Sequence, residues 1–79
     1  SFDLVVVCDF LERSLHARLA ELVAPRGLAV VTTFAHDFAG AHPSPRFRLE
    51  PGELARGLPG LSTEVVRERD GRSGIVARR

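Results

Sequence analysis

Leu61-Ser62-Thr63-Glu64-Val65-Val66-Arg67-Glu68-Arg69-Asp70-Gly71-Arg72-Ser73-Gly74-Ile75-Val76-Ala77 decides how this chain is read. Residues 61–69 predict a strand, and residues 73–77 a returning strand. Asp70-Gly71 lies between these β-prone runs, where Asp-Gly favours a tight hairpin turn. A closing antiparallel hairpin is distinctive because the preceding residues read as a parallel unit.

That unit begins at Phe2-Asp3-Leu4-Val5-Val6-Val7-Cys8, an apolar, β-branched run broken only by Asp3. It lacks alternation, so both of its faces are expected to be buried, as in an interior strand of a parallel sheet. Ser14 is the expected N-cap of a helix. Leu15, Leu19, Leu22 and Val23 form one apolar stripe, leaving His16, Arg18 and Glu21 for the wetter side. Pro25-Arg26-Gly27 is expected to end the helix, with Gly27 in the left-handed turn. Leu28-Ala29-Val30-Val31-Thr32-Thr33-Phe34 predicts a second buried strand, completing a right-handed βαβ unit.

Residues 35–50 show no periodicity and contain Gly40, Pro43 and Pro45. A loop of this length tends to be functional or disordered. Pro51, with Glu53, Leu54 and Leu58 after it, predicts a short helix stopped by Pro59-Gly60. The order is therefore β-α-β-loop-α-β-β.

The chain has 79 residues, enough for at most one domain. It has no Met, which suggests a fragment or part of a longer or processed product. Its single cysteine, Cys8, cannot close a disulfide within the chain and points to a reducing, cytoplasmic setting. All 11 basic side chains are Arg, and the net charge of +1 gives no reason to expect a nucleic-acid or membrane partner. No apolar run approaches a membrane span, and no signal-peptide pattern is seen.

Several local segments resemble class I S-adenosylmethionine-dependent methyltransferases. Phe2-Asp3-Leu4-Val5-Val6-Val7 resembles their "(F/Y)D-aliphatic" fourth strand. Leu19-Ala20-Glu21-Leu22-Val23-Ala24-Pro25-Arg26-Gly27-Leu28 resembles their "L-x-x-L-x-P-G-G-x-L" segment, with Arg26 in place of the first Gly of the turn. Phe10-Leu11 with Arg13, Thr33-Phe34, and Pro45 with Leu49 and Gly52-Glu53-Leu54 look like the small bacterial methyltransferases of tellurite-resistance type. Ser44 stands where Asn is common in that group. The resemblance covers nearly the whole chain.

It implies a partial Rossmann-like methyltransferase sheet of α/β class, whose last strand runs antiparallel between two others. It also implies the C-terminal half of one domain, with S-adenosylmethionine as cofactor of the complete enzyme, a small-molecule substrate, and a missing N-terminal half or partner chain. The Gly-rich cofactor loop and the acidic end of the second strand in such enzymes are expected upstream of Ser1, and the seven glycines here contain no G-x-G-x-G or G-x-G-x-x-G. Alone, the chain is expected to be inactive. Two other readings remain open: half of another Rossmann-like nucleotide-dependent enzyme, and a truncated, non-catalytic interaction module.

In open α/β sheets, ligands bind beyond the carboxyl ends of strands. That brings Cys8-Asp9-Phe10-Leu11 beside Thr33-Phe34-Ala35-His36. Asp9 is a candidate for the cofactor's amino group, or else a helix-start carboxylate. Phe10 either packs on the cofactor or belongs to the core. Arg13 is a candidate for an anionic substrate group, and Phe34 for the substrate wall. His36 is a candidate general base. Cys8 reads as a buried small hydrophobe with no activating neighbour in sequence. His36, Asp37 and His42 lack tetrahedral-site spacing, so no metal is expected. Glu50, Glu53, Arg67, Arg69, Arg72, Arg78 and Arg79 read as helix-start charges and a solvated face.

Overall fold

The computed structural model describes every residue except Phe10, His42, Pro43, Pro45 and Phe47. Its named elements are β1 (Phe2–Cys8), α1 (Arg13–Leu22), β2 (Val23–Phe34), a 3-10 turn (Leu54–Arg56), β3 (Ser62–Arg69) and β4 (Arg72–Arg78). The fold is α/β, with one α-helix among the described residues and a four-stranded mixed sheet in the order β1-β2-β4-β3. β1 and β2 run parallel, while β4 lies antiparallel between β2 and β3. The hairpin turns where the sequence places it. Asp70 (φ 53°) and Gly71 (φ 78°) both take the left-handed conformation that a tight two-residue turn requires.

One face of the sheet carries the core. Val7, Val31, Ile75 and Ala77 point from it against Leu19 of α1 and against Leu49, Leu54 and Leu58 of the segment between β2 and β3. The other face is uncovered. Phe2, Leu4 and Val6 are 62%, 56% and 54% exposed, and Cys8 is exposed beside them. The expectation that β1 is buried on both faces, and Cys8 with it, is therefore corrected. An apolar run records what a strand is able to bury; whether anything lies over it depends on the rest of the fold. β1 is also an edge strand, hydrogen-bonded to β2 alone.

The helix starts and stops differently from its sequence signals. Glu12, not Ser14, is the N-cap: its carboxylate accepts from the Ser14 N–H at 3.3 Å and from the Ser14 hydroxyl at 2.8 Å. Those two hydrogen bonds hold the Glu12 carboxyl below its ordinary pKa. The helix ends at Leu22, because Val23 is already extended and pairs with Phe2. Residues 24–27 then bulge out of the β1–β2 ladder, whose register jumps from Phe2–Val23 to Leu4–Leu28. Within the bulge Arg26 takes the left-handed conformation (φ 67°) instead of Gly27. Gly27 serves close approach: a Cβ there would lie 2.9 Å from the Asp3 carbonyl oxygen and 2.8 Å from Val23 Cγ1.

The segment between β2 and β3 is tied at both ends. Leu49 is fully buried, bridges to Ala35, and donates its N–H to the Phe34 carbonyl at 2.9 Å. The helix expected after Pro51 shrinks to the 3-10 turn, because Gly52 (φ 68°) and Gly57 (φ 85°) sit in conformations that no helix continues through. Leu54 and Leu58 are nevertheless buried.

Candidate functional site

The carboxyl ends of β1 and β2 lie side by side, as strand order requires. The Asp9 N–H donates to the Thr32 carbonyl at 2.7 Å, which extends the ladder by one bond. Asp9 itself is left-handed (φ 55°), an uncommon state for a non-glycine residue that turns the chain off the sheet. Its Oδ1 accepts a hydrogen bond from Arg72 Nη2, forming an ion pair.

Arg72 opens β4 directly opposite Phe34, the last residue of β2. Its guanidinium lies over the Phe34 ring, 4.7 Å from the centroid. Phe34 in turn meets Phe38, with ring centroids 4.6 Å apart and planes inclined at 59°. Arg48 sits 5.6 Å from the Phe38 centroid and donates to the Phe38 and Gly40 carbonyls at 3.0 and 2.6 Å. Two arginines thus flank two rings in tilted contact, an arrangement favoured by attraction between cations and aromatic faces. Gly71 makes the close packing possible, since a Cβ there would come within 2.6 Å of Phe38 Cα.

A second cluster lies under the start of α1. Arg13 donates through Nε and Nη2 to the two carboxylate oxygens of Glu53, at 2.9 and 2.8 Å. Glu53 also accepts from the Glu50 N–H at 2.9 Å. Burial pulls the Glu53 carboxyl up, but the Arg13 bond, the backbone bond and the Arg13 charge outweigh it and leave its pKa lowered. The same bond raises Arg13. Beside this pair lies His16, only 6% exposed, with its Nε2 buried and without a hydrogen-bond partner among the described residues. Burial, the largest influence, lowers the His16 pKa. A groove of about 180 Å³ separates the helix from residues 53–59 here. The expectation that His16 faces water is corrected, because the segment after Gly52 folds over that side of the helix.

The expected site residues thus fall in three places. Asp9 and Phe34 come together through Arg72. His36 is exposed in the turn after β2. Arg13 is held by Glu53 in the second cluster, leaving Nη1 without a bond there. Phe10 and His42 lie outside the described residues. Among the described residues no three His, Cys, Asp or Glu side chains gather as a metal site.

Sequence reasoning missed Arg72, Phe38 and Arg48. Arg72 was assigned to a solvated face, yet it holds Asp9 from 63 residues away. The signal was present in the hairpin: once β4 is laid against β2, a turn at Asp70-Gly71 delivers residue 72 to the end of β2. Glu53 was likewise assigned to a helix start and is instead an ion-pair partner with a 16% exposed side chain. No helix among the described residues is long and apolar enough to cross a membrane. No known family model matches the chain, and neither does any curated protein.

Proposed function

We propose that the chain is the C-terminal half of a class I, Rossmann-like S-adenosylmethionine-dependent methyltransferase, supplying the substrate-side wall and part of the cofactor rim. The observation that carries this reading is the strand order β1-β2-β4-β3, with the closing strand antiparallel between its neighbours. A doubly wound dinucleotide fold usually continues parallel at that edge, which disfavours the nucleotide-dependent oxidoreductase alternative.

When bound, S-adenosylmethionine supplies an electrophilic methyl group on its sulfonium. Asp9 fits the amino group of such a molecule: it stands at a strand end, its carboxylate is half-exposed, and only Oδ1 is taken by Arg72. Arg72 orients that carboxylate. Phe34 forms a wall, held between Arg72 and Phe38. His36 stands one residue beyond Ala35, where a base would take a proton from the acceptor. Arg13 offers Nη1 to an anionic group at the mouth of the groove. The contribution of these residues is alignment and exclusion of water.

The test is a titration of S-adenosylhomocysteine into the isotope-labelled chain, followed by NMR, together with a methyl-transfer assay. The expected result is weak binding that shifts the amides of Asp9, Phe34 and His36, is lost in Asp9→Ala, and brings no turnover. Shifts confined to other residues would refute the cofactor-rim assignment. Methyl transfer by the chain alone would refute the half-enzyme reading.

A further inference from the structure

The uncovered face of the sheet has an ordered chemistry of which the strand-end site uses only the last row, Phe34 and Arg72. Cross-strand register places Leu4, Leu28, Arg78 and Ser62 in one row, and Val6, Val30, Val76 and Val65 in the next. Cys8, Thr32, Gly74 and Arg67 follow, then Phe34, Arg72 and Arg69. The valine row crosses all four strands, and Gly74 hollows the row beside it. A groove of about 300 Å³ runs along Val30, Val65 and Val76 to Thr32 and Arg67. It adjoins a second of about 190 Å³ bounded by Arg67, Arg69 and Arg72.

We infer that this face is the seat of an acidic amphipathic helix that runs along the strands, its apolar stripe on Leu4, Val6, Val30 and Val76 and its carboxylates towards Arg67, with Arg69 beside it. Large exposed apolar side chains gathered on one face mark an interaction surface. Sheets of this class are normally covered by helices on both faces, and α1 serves only one. β1, with seven residues, is about 23 Å long, which a helix of about 15 residues matches.

Charge selects the acidic partner. Arg69 stands directly opposite Arg72 across the β3–β4 ladder, and each is already met by one exposed carboxylate, Asp70 and Asp9 respectively. Arg67 has no ion-pair partner among the described residues. Asp9, Asp70 and Glu64, the carboxylates around this face, are already paired with Arg72, Arg69 and Arg78, which leaves Arg67 as the cation in excess. A second copy laid face to face would therefore bring arginine towards a surface with no free carboxylate to receive it. The docking follows from sheet geometry and charge, whatever reaction the protein carries.

Two synthetic helical peptides of about 16 residues, sharing one leucine stripe and differing only in flanking Glu or Lys, test this by NMR titration into the full chain. The Glu peptide is expected to shift the amides of Leu4, Val6, Val30, Val65 and Val76. It should bind at least about fivefold tighter than the Lys peptide at low salt, with the gap closing in about 0.5 M salt. Arg67→Glu with Arg69→Glu, both exposed, should reverse the preference while leaving the circular dichroism unchanged. Equal or better binding of the Lys peptide, binding of neither, or shifts on the α1 side would overturn the inference. So would concentration-dependent dimerisation through these residues, or equal uptake by neutral lipid vesicles.

Discussion

Gly71→Ala is the substitution that tests the strand-end site most sharply. Gly71 sits at φ 78°, and an added Cβ would lie 2.6 Å from Phe38 Cα and 3.1 Å from Phe38 Cβ. Alanine in a left-handed conformation costs about 1–2 kcal/mol. Overpacking against a neighbour that must shift costs about 1–3 kcal/mol more, and here the nearest atom is backbone. The sum is about 2–5 kcal/mol. A domain of 79 residues has about 4–12 kcal/mol of stability in total, so the loss is a large share of it. Gly52→Ala is the matched control: φ is 68°, but nothing lies within 4 Å of the new Cβ, so only the conformational cost of about 1–2 kcal/mol applies. Because the chain has no Trp or Tyr, the assay is urea unfolding followed by far-ultraviolet circular dichroism. An excluded osmolyte keeps both variants folded at zero urea. With a slope near 1 kcal/mol/M, the Gly71 variant should unfold about 1–3 M earlier than the Gly52 variant. Equal midpoints would refute the packing of Phe38 on the hairpin, and with it the stack that holds Phe34 and Arg72.

Other predictions concern the second cluster and the open face. His16 is neutral and buried, and its folded pKa is depressed. Its contribution is therefore complete above the unfolded value of about 6.5 and lost as pH falls through the folded one; urea midpoints should drop below pH 6.5, and less so in His16→Leu. A double-mutant cycle on Arg13→Ala and Glu53→Gln should give a coupling of about 1 kcal/mol, since the pair is bidentate and one partner is largely covered. Additivity of the two losses would show that the ion pair contributes nothing. Cys8, exposed on the uncovered face, should react with a maleimide in the folded chain within about tenfold of its rate in urea. Strong protection would mean that the face is already covered.

The parts of the fold legible in sequence were those carried by neighbours in the chain. The Asp70-Gly71 turn was legible because its backbone demand is local, and both residues meet it with positive φ. The apolar stripe correctly marked Leu19 and Val23 for burial. The cap was misassigned because Ser14 and Glu12 are each able to supply an acceptor, and local sequence does not rank them. The short helix after Pro51 failed because Pro51, Leu54 and Leu58 carry the helical signal, whereas Gly52 and Gly57 between them take conformations closed to a helix.

The site divides the same way. That Asp9, Phe34 and His36 lie at or just past strand ends was legible because strand ends follow from strand periodicity. Arg72, Phe38, Glu53 and the buried side of His16 were not, because each acquires its partner from a distant part of the chain. Arg13 and Glu53 are 40 residues apart, and Asp9 and Arg72 are 63. By itself the sequence determined the βαβ unit, the hairpin and the apolar capacity of each strand, since hydrophobic periodicity and turn chemistry act over a few residues. Only the tertiary structure decided which face of β1 is covered and which arginine meets which carboxylate. Burial and ion pairing depend on where the other elements of the sheet come to lie, and no local pattern records that.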